Sequence, residues 1–387
     1  MTTIPTVAEL YESIVTDIET EFGVVIPDEG KSFLRALSAV EAAKLKLFYL
    51  GLANLQKNIW VDTADPVAVG GTLERFGFTK LQRYPNPATE GVYLCTVIGT
   101  AGAVIPALTQ FKSDDDSTSP GYLFILDTAY TLTGTSDLIT LRALTAGRES
   151  VLEVGDNLTS TAPIVNVNSQ VAVSVVSVDP INAETIEEYR AKAIQAYQLN
   201  PQGGSPADYR LWGLDAAGTR QIYPYASSGN PNEVDVFVEA LPADSIGGNG
   251  TPTPTILAAV AADIEADPTT GVGRRPLGVW QVNTQSVVVK DVDITINSGG
   301  TITVPQQALI TQALTDDVYN IRPFIAGIDA VADRKDVLST YGVGSVIVAT
   351  IGGVIISSIS IDVDGSPVTS YMFDNGEIPY ITSITYV

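Results

Sequence analysis

Apolar residues recur at Val7, Leu10, Tyr11, Ile14, Val15, Ile18 and Phe22, the three-and-four spacing that gathers side chains on one face of a helix. The run Ile26-Pro27-Asp28-Glu29-Gly30 interrupts it. A second periodic stretch then passes through Phe33, Leu34, Leu37, Val40, Leu47, Leu50 and Ile59. The pattern predicts a short and a long amphipathic helix over residues 1–62. Two helices cannot close a core by themselves. Their apolar faces, marked by Leu10, Ile14, Ile18, Leu37, Leu47 and Leu50, must lie on the rest of the chain or on another chain, and they are the candidate interface.

Past Asp62 the texture changes to short alternating runs broken by Gly, Pro, Asn and Asp, from Tyr93-Leu94-Cys95-Thr96-Val97-Ile98 to Val171-Ala172-Val173-Ser174-Val175-Val176. Residues 63–180 read as a β-rich domain. Helical spacing returns after Asp179, with Thr185 and Glu188 set as a capping box, and again at Ser205-Pro206, where Ser is the N-cap, Pro opens the helix and Gly218 is expected to end it. Strands at Gln221–Tyr223 and Val234–Ala240 and a helix through Ile256, Leu257, Val260 and Ile264 complete a small α/β section over residues 181–285. Residues 286–387 repeat the idea: a strand at Val288–Ile296, a helix from Pro305 toward Ile321 and a terminal strand at Ile381–Tyr386. The stretch Val337–Ile361 carries no charge and is long enough to span a bilayer. Its Ser, Thr, Gly and β-branched content predicts instead a β-hairpin turning at Gly352-Gly353. The expected fold class is α+β and multidomain, with N-terminal helices, a β-rich domain and two sandwich-like α/β sections.

Composition narrows the function. Apolar residues make up 45% of the chain and charged ones 17%, below the usual quarter, and mean hydropathy is +0.20 without an expected membrane span. Much of the surface is therefore expected to be covered. Lys and Arg number 21 against 44 Asp and Glu, a net charge of -23, which repels phosphate backbones and anionic lipid. The N-terminal segment Met1–Glu12 has no secretory pattern, so synthesis in a cytoplasm is expected.

Histidine is absent and Cys95 is the single cysteine. That excludes Ser-His-Asp catalysis, histidine-ligated zinc and imidazole-ligated haem, and leaves Cys95 as a structural thiol. Asp114-Asp115-Asp116 cannot aim three consecutive carboxylates at one ion and reads as a solvated loop. Asp362-Val363-Asp364-Gly365 starts like a calcium loop but lacks Glu at the twelfth position, and reads as a turn between strands. Phosphate loops, HExxH and nucleophile elbows are missing. No catalytic residue, cofactor or metal ligand is expected.

Several landmarks stand in a meaningful order: Gly70-Gly71-Thr72-Leu73-Glu74-Arg75-Phe76-Gly77, Gly102-Ala103-Val104-Ile105-Pro106-Ala107-Leu108-Thr109, Gly147-Arg148-Glu149, Glu187-Glu188-Tyr189-Arg190, Gly273-Arg274-Arg275-Pro276-Leu277-Gly278 and Glu377-Ile378-Pro379. In this order they resemble the baseplate J-like family, the wedge subunits of contractile phage tails and related contractile injection systems, over roughly residues 64–296. The chain departs from the family pattern at Leu108-Thr109 and near Gly155-Asp156-Asn157. The glycines Gly70, Gly71 and Gly77 read as sites of positive φ or close backbone approach, and Pro106 as a fixed corner. Arg190 and Arg275 read as structural anchors pairing with carboxylates. The resemblance implies a virion tail component assembled in a bacterial cytoplasm. Its implied neighbours are a second wedge protein, copies of itself, a central hub and spike, a sheath initiator and fibre proteins, with no nucleic acid and no membrane span. Its implied work is mechanical: holding the baseplate ring and relaying the change that triggers sheath contraction. The alternatives are a tail-fibre or receptor-binding protein and, less favoured by the motifs, a carboxylate-based glycan hydrolase.

Overall fold

Thr6 begins the first helix because its side chain and that of Glu9 satisfy each other's backbone donors, with Thr6 N–H to Glu9 at 2.7 Å and Glu9 N–H to Thr6 Oγ1 at 3.2 Å. The computed structural model describes residues 4–27, 32–199, 203–300, 302–352 and 355–387, and the chain divides into two compact units, Met1–Tyr84 and Pro85–Val387. In the first unit, α1 (Val7–Phe22) ends at Gly23 with φ 63° and packs along α2 (Phe33–Lys57). Asp28, Glu29 and Gly30 of the expected break lie outside the described residues. Val15 and Ala42 are buried, and Arg35 clamps the pair by donating to Tyr11 Oη at 3.0 Å and to the Ile26 carbonyl at 2.8 Å. Residues beyond Asp62 do not turn directly to β structure, for α3 (Leu73–Leu81) follows first. Leu73, Gly77 and Leu81, spaced four apart, bury one face of it. Gly70 has φ 86°, and a Cβ at Gly71 would collide with the Asp65 backbone. Gly77 lies in ordinary helical backbone.

The second unit opens with eight strands: β1 (Val92–Ile98), β2 (Val104–Ile105), β3 (Gln110–Ser113), β4 (Leu123–Ile125), β5 (Tyr130–Thr131), β6 (Ser136–Ala143), β7 (Asn157–Ser160) and β8 (Gln170–Val178). Six close into a barrel in the order β1-β6-β4-β3-β7-β8, while β2 and β5 pair as a separate ribbon. Closure leaves no open edge in the barrel. Alternation directs Tyr93, Cys95 and Val97 of β1 inward with Ile139, Leu141, Val171 and Val173. The Tyr93 ring meets Phe124 edge-on at 5.6 Å, and its hydroxyl accepts from Leu152 N–H at 3.1 Å. Pro106 follows β2 and turns the chain toward β3.

Next come α4 (Ile186–Gln198), α5 (Pro206–Gly213), β9 (Thr219–Ala226), β10 (Glu233–Ala240), α6 (Pro254–Glu265) and β11 (Gln281–Ser286). The Thr185–Glu188 capping box is present, as is Pro206 at the first turn of α5. That helix stops at Gly213; Gly218, expected to end it, instead makes the turn into β9 with φ 75°. The sheet runs β11-β10-β9, and α5 and α6 cover one face through Leu214, Ile222, Val236, Val238, Ile256, Val260 and Ile264.

The last section contains β12 (Val288–Ser298), α7 (Val304–Tyr319), β13 (Val337–Ser339), α8 (Thr340–Thr350), β14 (Ile356–Val363), β15 (Ser366–Val368), β16 (Ser370–Met372) and β17 (Glu377–Tyr386). Its main sheet runs β15-β14-β12-β17, with α7 and α8 on one side. The hairpin expected at Gly352-Gly353 is corrected here. Val346–Thr350 belong to α8, capped by Ser339 Oγ accepting from Gly342 N–H at 3.1 Å. Val343 and Ile347, one turn apart, bury into the core, so tertiary burial overrides the β-branched propensity. Gly353 itself lies outside the described residues. The Asp362–Gly365 turn does join two strands, with positive φ at Asp364 and Gly365. The fold is thus α+β and multidomain, and no helix among the described residues is long and apolar enough to cross a membrane.

Candidate functional site

The second face of the β9–β11 sheet carries Tyr223, Tyr225, Phe237 and Glu239, out of phase with the core residues Ile222, Val236 and Val238. Left alone it would face water. Instead the final section covers it with Ile325 and Ile378. Glu239, with 2% of its side chain exposed, therefore becomes buried and draws cations to it. Arg322, just beyond α7, donates from Nη2 to Oε1 at 2.8 Å and from Nε to Oε2 at 3.1 Å. Arg220 on β9 also pairs with Oε1, and Tyr223 Oη donates to Oε2 at 2.5 Å. Arg220 lies 3.6 Å over the Tyr319 ring and donates to the Tyr319 carbonyl at 2.9 Å.

Burial by itself would raise the Glu239 carboxyl. The charges of Arg322 and Arg220, with their hydrogen bonds and that of Tyr223, outweigh it and hold the group below the ordinary glutamate value. Burial, then the Glu239 charge, push the Tyr223 hydroxyl well above its usual value, which keeps it a donor. Two clefts flank this cluster. Arg322 and Tyr223 line one of about 410 Å³; Glu239, Tyr319 and Arg322 line the other, of about 600 Å³, against Pro379–Ile384.

Other buried charges are likewise engaged within the fold. Lys192 pairs with Glu184 at 3.0 Å, Asp215 with Arg274 at 2.8 Å, and Asp208 accepts from Ser205 N–H at 2.8 Å at the start of α5. Asp114 accepts from Thr159 and Gln170 at 2.7 and 2.8 Å, tying β7 to β8, while Asp115 and Asp116 are exposed. Among the described residues no group of three or more acidic or cysteine side chains is arranged to hold a metal ion. Burial pushes the Cys95 thiol up to about 12, so at neutral pH it is not a nucleophile.

The structure scatters the residues singled out in the sequence. Leu10, Ile14 and Ile18 on α1 are half-buried, whereas Leu37, Leu47 and Leu50 on α2 are 42%, 70% and 46% exposed. Phe33, Phe48, Leu55 and Trp60 are exposed in the same unit. Arg190 pairs with Glu187 one turn earlier on α4 at 3.0 Å. Arg275 pairs with Glu265 of α6 at 3.3 Å and donates to the Trp280 carbonyl at 2.8 Å. Sequence reasoning passed over Glu239, Arg220 and Arg322. The available signal was a charged residue following Val238 in an otherwise apolar strand end.

Residues 94–180 match the Baseplate J-like protein barrel domain, a span that begins within β1 and closes just past β8. The closed barrel is thus similar to the barrel of the baseplate J-like family. A stretch of 141 residues is 26% identical to the putative protein JayE of Escherichia coli strain K12, covering 36% of this chain and 48% of that protein. The chain thus spans about half the length of this curated relative. Among solved structures, a chain of the anti-feeding prophage baseplate aligns over 95% of this chain and 90% of its own, at 11% identity and a TM-score of 0.40.

Proposed function

We propose that this protein is a non-enzymatic structural subunit of the baseplate wedge in a contractile tail or contractile injection particle. The observation that carries this reading is the match of its closed barrel to the Baseplate J-like barrel domain. The interior supports it: Glu239, Glu184 and Asp215 are engaged by cations or backbone donors that lock one element to another, an arrangement suited to transmitting force. The exposed apolar residues of α2 supply a surface for neighbouring subunits. In this reading the protein sits in the tail baseplate, assembled in the bacterial cytoplasm, beside a second wedge protein and copies of itself around a central hub and spike. Sheath contraction follows from a change in how these subunits pack, which needs bistable interfaces and no ligand chemistry.

A density map of the purified particle, with the chain carrying a small fused tag, tests the proposal. Tag density in a ring around the tail tube is the expected result. Density projecting from the particle would replace the wedge with a tail-fibre role. Turnover of peptidoglycan or polysaccharide by the purified chain, abolished by one Asp or Glu substitution with folding intact, would replace it with a glycan hydrolase.

A further inference from the structure

The smaller of the two clefts departs from the character of the whole molecule. The chain has 44 acidic against 21 basic residues, yet Arg210, Arg322, Arg334 and Lys335 line this cleft, with Asp329 as the one carboxylate in its wall among the described residues. Counting the groups behind the wall, Arg220 and Arg322 share Glu239, and Arg334 holds Asp336 at 3.2 Å. That makes five cations against three carboxylates, a local excess of positive charge on a chain of net charge -23.

Among the buried guanidinium groups here, Arg210 is the most weakly paired. Its side chain is 9% exposed, its Nε donates to the Ile222 carbonyl at 3.1 Å, and its nearest carboxylate oxygen, on Asp329, stands 3.6 Å away. That separation is beyond a good charge-assisted hydrogen bond. Asp329 is in turn committed to the Ile325 N–H at 2.7 Å through its other oxygen. Burial accordingly works against the Arg210 charge and lowers its pKa. Lys335 at the rim is exposed and forms no ion pair among the described residues. Phe324 and Ile328 add apolar wall between the charges. A buried guanidinium only loosely paired with its carboxylate, an exposed lysine and apolar wall between them fit one kind of occupant.

We propose that this cleft is a docking site for an acidic peptide segment of a partner protein. A glutamate or aspartate side chain enters toward Arg210, apolar neighbours on the peptide rest on Phe324 and Ile328, and Lys335 steers the approach. A peptide is favoured over a free anion because Phe324 and Ile328 offer apolar contact between the charges, which a free anion cannot use. The site lies in the second unit and does not depend on the role assigned to the chain as a whole.

The test is fluorescence anisotropy at low salt on the full chain, using a fluorescein-labelled peptide of alternating glutamate and leucine and a control with glutamine in place of glutamate. The expected result is binding of the glutamate peptide at least about tenfold tighter than the control, weakening as salt rises. Lys335→Glu, an exposed change that leaves the fold intact by circular dichroism, is expected to weaken it about tenfold. Arg210→Gln is expected to remove it. Equal binding of both peptides, no binding, or binding indifferent to Lys335→Glu overturns the proposal. Inorganic phosphate that binds while the peptide does not overturns it in favour of a small-ion site.

Discussion

Glu239 on β10 receives both prongs of the Arg322 guanidinium, at 2.8 and 3.1 Å, across 83 positions of sequence. The two-point geometry fixes orientation as well as distance. It joins the β9–β11 sheet to the chain leaving α7, so the two α/β sections of the second unit are held in one arrangement.

Removing the carboxylate strands two buried guanidinium groups. Glu239→Ala is expected to destabilise the second unit by about 3–5 kcal/mol, the scale for breaking a buried ion pair from one side. The urea midpoint of wild type and variant at pH 7 measures it. A midpoint unchanged within error would show that water replaces the carboxylate at no cost.

The same pair makes stability depend on acid. The Glu239 carboxyl is held below its ordinary value of 4.5 when folded, so the folded state favours the ionised form. Its contribution is complete above about pH 4.5 and is lost as pH falls through the lower folded value. Wild type is expected to lose stability on acidification below pH 4.5 more steeply than Glu239→Ala, in thermal melts taken at half-unit steps of pH.

Cys95 gives a probe of barrel integrity. Its side chain is wholly buried and its thiol is raised to about 12, which leaves roughly one thiolate in ten thousand at pH 8. Iodoacetamide is expected to leave the native protein unmodified over hours and to label one site per chain in 6 M guanidinium, read by intact mass. Prompt native labelling would mean that the barrel opens.

Gly376 precedes β17 with φ 75°, and a Cβ there would strike the Phe237 ring. That ring rests edge-on against Tyr225 at 6.0 Å, which limits its retreat. Gly376→Ala is expected to cost about 2–3 kcal/mol, combining backbone strain with the clash. Gly300→Ala, where nothing lies within 4 Å of the added carbon, is expected to stay within about 0.5 kcal/mol of wild type. Calorimetry on the pair separates the local clash from a general intolerance of substituted glycines.

The exposed apolar residues of the first unit are expected to act between chains. Deleting residues 1–30 removes α1 and should leave the unfolding transition of the second unit unchanged while particle assembly fails. Normal assembly by the truncated chain would show that α1 contributes to no interface.

Periodicity in the sequence determined α1, α2, α4 and α6 and the alternating strands β1, β8, β10 and β12, because each depends on neighbours within one or two turns or on a two-residue repeat. Capping chemistry likewise placed the start of α4 at Thr185 and of α5 at Ser205, through contacts three residues apart. Four decisions were not local. Whether Val343 and Ile347 formed a strand or a helix was settled by burial against the final sheet. Leu73–Leu81 became helical where short β-type runs were expected from Asp62 onward. Six short strands closed into a barrel only through pairings such as that between β1 and β8, some eighty positions apart. Which face of β10 would be covered depended on Arg322, Ile325 and Ile378 arriving from far along the chain. A charge beside Val238 reads as solvent-facing by alternation, and only the tertiary structure removes the water and makes Glu239 a buried anchor. Desolvation is a property of what packs above a residue, and no local pattern encodes it.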